Sequence, residues 1–220
     1  MSHRIPAPWQ LEGDGYLLIY KFKKQDVAEN RYSHYNADLP YRGGLGCVML
    51  ADYRSSDAGP YREILLVPGK YEFEKKSYSS ISKIYVSSEE SRVNGRRNWG
   101  IPKELAHFDF SPGRSANEEE IRIAAGEDCF FTAKAKAYGP RFPVSTSLFR
   151  FSLCQMHEGK VMLTRLEGTG RARLARIRID SVDERYFPDL RRITPLLAVR
   201  MEGFQLECKE AEVKQGIDLV

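Results

Sequence analysis

The stretch Gly95-Arg96-Arg97-Asn98-Trp99-Gly100-Ile101-Pro102-Lys103-Glu104-Leu105-Ala106 places a lysine directly behind a proline, and Gly59-Pro60-Tyr61-Arg62-Glu63 places a carboxylate two residues behind a tyrosine. A lysine amine attacks or abstracts only when unprotonated. With an ordinary pKa of about 10.4 it is almost wholly charged at neutral pH, so such chemistry needs surroundings that strip water from it or set another cation beside it. Local sequence alone gives a plainer reading. Pro102 after Gly100 is an ordinary helix stop, a lysine behind it is a solvated turn residue, and Glu63 on a strand is by default exposed. Cys47, Cys129, Cys154 and Cys208 lie far apart and read as small buried hydrophobes; His3, His34, His107 and His157 are equally scattered. Local spacing therefore assembles neither a metal site nor a Cys/His nucleophile pair.

Together the two stretches resemble the signatures of the acetoacetate decarboxylase family. The first is similar to Gly-Arg-Glu followed by an aromatic, Gly, Pro-Lys and Leu-Gly/Ala; the second is similar to Gly-x-Tyr-x-Glu. They occur in the family's order and at approximately its spacing, within Gly44 to Phe110. The resemblance implies that Lys103 is the nucleophile and that Glu63 lines the pocket as a proton-handling or orienting group. An oxo acid loses carbon dioxide readily when a protonated lysine imine takes up the electrons left behind, and acetoacetate decarboxylase is itself the known example of a lysine amine activated in this way by its surroundings. Arg96, Trp99 and Tyr61 are the substrate-side residues this implies, with Ile101 and Leu105 as further apolar walls; Arg96 is also suited to meet carbonyls at the negative end of a helix. No metal and no organic cofactor is implied. The chain departs from the family at three places: Glu104 stands where a second lysine follows the nucleophile, no arginine lies around Asp14-Gly15-Tyr16, and the first pocket glutamate would fall near Gly46 or Cys47. Arg62 and Arg42 are the candidate replacement cations. Neighbours on an extended segment point to opposite sides, so Glu104 is expected to turn away from the amine.

The elements that must position these residues are mostly strands. Short β-rich runs separated by turn signals give a mainly β (α+β) chain, expected as a closed antiparallel barrel or cone, or as two packed sheets, with few short helices. Strands are expected at Tyr16 to Phe22, Gly46 to Asp52, Tyr61 to Val67, Tyr71 to Glu74, Ser82 to Val86, Leu105 to Phe110, Glu119 to Ala124 and Cys129 to Ala137. Further ones are expected at Ser147 to Met156, Lys160 to Leu166, Arg173 to Asp180 and Leu197 to Val213. Glu158-Gly159 marks a hairpin and Ser111-Pro112-Gly113 another turn. The best helix starts at Ser87-Ser88, with Glu89 and Glu90 at its positive end, and finishes at Gly100 and Pro102. Weaker helical signals lie at Gln25 to Tyr32 and Phe187 to Ile193.

The 220 residues, 42% of them hydrophobic, suffice for one core, and no repeat or linker divides residues 1–220, so a single domain is expected. No run approaches the ~18 apolar residues of a spanning helix, and the start lacks a signal-peptide pattern. A cytoplasmic location, away from membranes, is the expectation. The formal charge of +4 includes a local excess of arginine from Arg165 to Arg192. Arg176-Ile-Arg178-Ile alternates as a solvated strand face does, and without interleaved aromatics a nucleic-acid partner is not expected; an anion-binding or subunit-interface surface is the sharper reading. The family resemblance implies a homo-oligomer acting on a small oxo acid. The competing class is a non-catalytic binder that holds a small apolar ligand inside the β structure.

Overall fold

A computed structural model describes residues 3–23, 39–146 and 151–215. Fourteen strands and one helix are present among these residues, joined in a mixed, strongly curved sheet. The strands are β1 (Trp9–Phe22), β2 (Tyr41–Ser56), β3 (Tyr61–Val67), β4 (Lys70–Phe73), β5 (Lys76–Ser79), β6 (Lys83–Val86) and β7 (Lys103–Leu105). They continue as β8 (His107–Pro112), β9 (Glu118–Ala125), β10 (Asp128–Ser145), β11 (Phe151–His157), β12 (Lys160–Val182), β13 (Leu197–Cys208) and β14 (Glu212–Gln215). Helix α1 spans Glu89–Trp99. The hydrogen-bonded order runs β7-β6-β3-β2-β4-β5-β11-β12-β10-β9-β8. A second route joins β2 to β12 through β1 and β13.

Alternation along the strands builds the core on both faces. On β2 and β3, Val48, Leu50, Ile64 and Leu66 join a cluster with Tyr16, Leu18, Ile121, Ile123, Phe130 and Phe131. Their neighbours Ala51, Tyr53, Tyr61, Leu65 and Val67 turn the other way, to Trp9, Leu11, Ile84, Trp99, Leu153 and Phe204. A strand buried on both faces reads as a continuous apolar run, which explains Ile64-Leu65-Leu66-Val67.

Two pairings depart from the antiparallel arrangement expected from tight turns. β5 meets β11 in parallel and β6 meets β7 in parallel. The second follows from α1, because a helix between two strands returns the chain to its starting end and lays the next strand alongside in the same direction. Two runs expected as separate strands are one, β12, which bends at a register shift between Thr169 and Arg171; Gly168-Thr169-Gly170 reads as a turn but continues the ladder against β13. β5 was not expected, and the expected last strand divides into β13 and β14. The Glu158-Gly159 hairpin joins β11 to β12 with His157 opposite Lys160. No helix forms over Phe187 to Ile193. Pro188 has no amide hydrogen to give, and the Asp183 and Asp189 carboxylates accept from the Arg185 and Arg191 amides, closing isolated turns instead. The weak signal at Gln25 to Tyr32, and the first four residues of the run from Ser147, lie outside the described residues.

α1 follows its sequence signals closely. Ser88 is extended and its Oγ accepts from the Ser91 amide at 3.1 Å; Glu89 and Glu90 occupy the first turn and Arg96 and Arg97 the last. Gly100 closes it with φ 64°, a left-handed conformation that only glycine adopts freely. No described helix is long and apolar enough to cross a membrane.

Candidate active site

Lys103 is the first residue of a three-residue strand. The turn before it is tight, with the Lys103 amide donating to the Ile101 carbonyl at 2.8 Å around Pro102. β7 then pairs with β6, Lys103 opposite Ile84 and Glu104 opposite Tyr85. Ile84 belongs to the cluster around Trp9 and Trp99, so its partner Lys103 faces the same interior and is only 3% exposed. Glu104 faces the other way, where its carboxylate accepts from Lys83 Nζ at 2.6 Å.

The Lys103 amine donates to Ser91 Oγ at 2.9 Å, to Glu63 Oε2 at 3.2 Å and, more weakly, to the Tyr61 hydroxyl at 3.4 Å. Glu63 reaches it from β3, two strands away across β6, a span of roughly 9–10 Å that two long side chains close. The pair is buried on both sides, with 4% of the lysine side chain and 5% of the glutamate side chain exposed. The second Glu63 oxygen accepts from the Tyr53 hydroxyl at 3.3 Å. Burial, and then the Glu63 carboxylate, hold the Tyr53 and Tyr61 hydroxyls well above the ordinary phenol range, so both remain protonated donors. The Tyr61 ring centre lies 5.0 Å from the amine and the Trp9 ring centre 6.0 Å, within reach of a cation–π contact.

The helix contributes by having little bulk where it faces the amine. Ser91, Gly95 and Trp99 recur every fourth residue on one buried face. A β-carbon at Gly95 would stand 2.8 Å from both Lys103 Cδ and Cε, so the lysine stem occupies the place where a side chain would be.

Of the residues singled out in the sequence, Lys103, Glu63 and Tyr61 meet. Trp99 lies one layer back: its indole donates to the Lys209 carbonyl at 2.8 Å and its ring stands edge-on to Trp9, centres 4.9 Å apart. Arg96 goes to the Glu104 side, where its Nε donates to the Lys103 carbonyl at 2.7 Å and clamps the strand rather than the amine. Leu105 is 46% exposed and walls no interior space. Neither candidate replacement cation reaches Lys103: Arg62 pairs with Asp52 at 3.2 Å and Arg42 with Glu72 at 2.7 Å. Ser91, Trp9 and Tyr53 complete the site without having been anticipated. The first had a signal, since a small polar residue four before Gly95 on a helix facing a core marks a place where something else must fit. Cys129 is exposed, contrary to expectation, while Cys154 is buried and Cys47 and Cys208 are half-buried. Among the described residues, no group of three or more His, Cys, Asp or Glu side chains is placed to hold a metal ion.

The family model for acetoacetate decarboxylase matches residues 38–147, half of the chain, which includes both motifs and every polar group around the amine. The chain belongs to the acetoacetate decarboxylase family. Its fold is that of solved acetoacetate decarboxylase-like structures at low identity. An acetoacetate decarboxylase superimposes with a TM-score of 0.73 at 12% identity, over 98% of this chain and 92% of that one. The acetoacetate decarboxylase of Legionella pneumophila gives 0.69 at 12% identity, over 96% and 89%. The enduracididine biosynthesis enzyme MppR, complexed with pyruvate, gives 0.61 at 13% identity, over 96% and 91%. Comparison with curated proteins gives no match.

Proposed function

We infer that this family member is a lyase that forms a Schiff base between Lys103 and a small oxo acid. The observation that carries the reading is a single buried amine held between a carboxylate and two hydroxyls inside an aromatic shell. The amine of Lys103 attacks the keto carbon and forms a C–N bond. The carbonyl oxygen departs as water, leaving a protonated imine. With a 3-oxo acid, whose carboxylate is on the carbon next to the imine carbon, the bond to the carboxylate breaks, its electron pair passes into the imine, carbon dioxide leaves and an enamine remains; protonation of its carbon and hydrolysis return the amine. Glu63, at 3.2 Å, is the group that takes the proton from Lys103 before attack and returns one later. Tyr61 and Tyr53, kept protonated, donate to Glu63 or to substrate oxygen.

The family supports an oxo acid as substrate, and one fold relative is held in complex with pyruvate, a 2-oxo acid. The missing pocket arginine and glutamate argue for a substrate other than acetoacetate. Borohydride added with a panel of 2- and 3-oxo acids is expected to fix one acid's carbon skeleton on Lys103, located by peptide mass spectrometry and absent in Lys103→Met. No adduct with any member of the panel would overturn the reading.

A further inference from the structure

An open cleft of about 300 Å³ lies on the opposite side of β7 from the amine, lined by Tyr85, Arg92, Arg96, Glu104, Leu105, Ala125 and Tyr186. We propose that it is a binding site for a small monocarboxylate with a flat or branched apolar body. This rests on different residues from the lysine compartment and stands whether or not Lys103 forms an imine.

Charge favours an anion. Arg92 and Arg96 project from successive turns of α1, and Lys83 stands next to Glu104; against these three cations are Glu89, paired with Arg92 at 2.5 Å, and Glu104, paired with Lys83 at 2.6 Å. Of these charged groups, Arg96 is the one that makes no ion pair among the described residues. Its Nε donates to the Lys103 carbonyl at 2.7 Å. That bond also fixes the plane of the guanidinium, so its remaining N–H groups form a preset fork of the kind that grips a carboxylate through two parallel hydrogen bonds. Orientation before binding removes part of the ordering cost.

The remaining walls favour an apolar body. Tyr85 and Tyr186 both pack against Phe130, ring centres 4.7 and 5.4 Å away, and their hydroxyls are occupied, Tyr85 by the Tyr186 carbonyl and Tyr186 by Asp128. What they offer the cleft is ring surface, beside Ala125 and the exposed Leu105. A leucine 46% exposed next to a guanidinium that makes no ion pair among the described residues is the arrangement that a carboxylate on a short hydrocarbon would cover.

The test is titration of the full chain with benzoate by saturation-transfer NMR, with benzamide as the uncharged control of the same shape. Benzoate is expected to bind and benzamide to bind at least about tenfold more weakly. Arg92→Gln, which removes one cation from the wall, and Leu105→Glu, which puts a carboxylate at an exposed position on the rim, should each weaken benzoate by about tenfold while circular dichroism melts show both variants folded. Equal binding of benzoate and benzamide, no binding at millimolar benzoate, or benzoate affinity untouched by both variants would overturn the proposal; the last would place the ligand elsewhere.

Discussion

At Lys103 the deciding quantity is how two buried opposite charges depend on one another. Removing one partner of such a pair leaves the other uncompensated, at a cost of about 3–5 kcal/mol, whereas replacing both is often nearly neutral. Lys103→Met is therefore expected to lower unfolding free energy in urea by about that amount, and Lys103→Met with Glu63→Gln to recover most of it. A single variant as stable as the parent would mean that Glu63 finds another cation or takes a proton. Gly95→Ala addresses the same amine from the helix. Its new β-carbon falls where the lysine stem lies, so it should cost about 1–3 kcal/mol and displace the amine from Ser91. Borohydride trapping should then slow by far more than the loss of stability explains. The two motifs made Lys103, Glu63 and Tyr61 legible in the sequence. Trp9 was not legible, because it comes from a strand about ninety positions earlier and only the sheet's curvature brings its ring to the amine.

Helix α1 shows how closely short-range signals control one element. Its buried face carries Ser91, Asn94 and Gly95 and only one large apolar side chain, Trp99, so the ends, rather than an apolar stripe, must hold much of it. Ser88→Ala removes the oxygen that caps the Ser91 amide and should cost about 1 kcal/mol. Gly100→Ala forces a β-carbon into a left-handed residue and to within 2.7 Å of His157 Cβ, and should cost at least about 1–3 kcal/mol. Denaturant midpoints of the two variants should fall in that order; Gly100→Ala as stable as the parent would mean that the cap geometry is not what ends the helix. These caps were visible in the residues because capping is decided within four or five positions. The parallel pairings, and the union of two expected strands into β12, were not visible. They depend on which strand lies alongside, and a Gly-Thr-Gly run looks the same whether the chain turns or continues against a neighbour.

For the molecule as a whole, burial sets the response to alkali. The thiols of Cys47, Cys154 and Cys208 are pushed up to about 12 from an ordinary 9.0, chiefly by desolvation. The unfolded chain releases those protons from about pH 9 and the folded chain only near pH 12. The native state thus holds more protons across that window, and stability falls as pH rises through it. Urea midpoints at pH 8 and pH 10.5 should show the loss, and iodoacetamide at pH 8 should modify the exposed Cys129 first and the buried Cys154 only once denaturant is added. Rapid native labelling of all four cysteines would refute this account of their burial. The mainly β architecture was readable from alternation and turn spacing. The arginine-rich segment carries local pairs, Arg178 with Asp180, Arg185 with Asp183 and Arg191 with Asp189, so each of its three aspartates is matched by an arginine.

β7 has three residues, with an amine turned inward and an acid turned outward, each facing its counter-charge: Glu63 within, Lys83 without. Deleting one residue between Gly100 and Lys103 would reverse which side each group faces. Two acids would then confront one another in the dry interior while two ammonium groups met at the surface. A strand too short to be fixed by its ladder is thereby locked against slippage by electrostatic polarity, and the same lock dictates which of two adjacent side chains enters the dry interior.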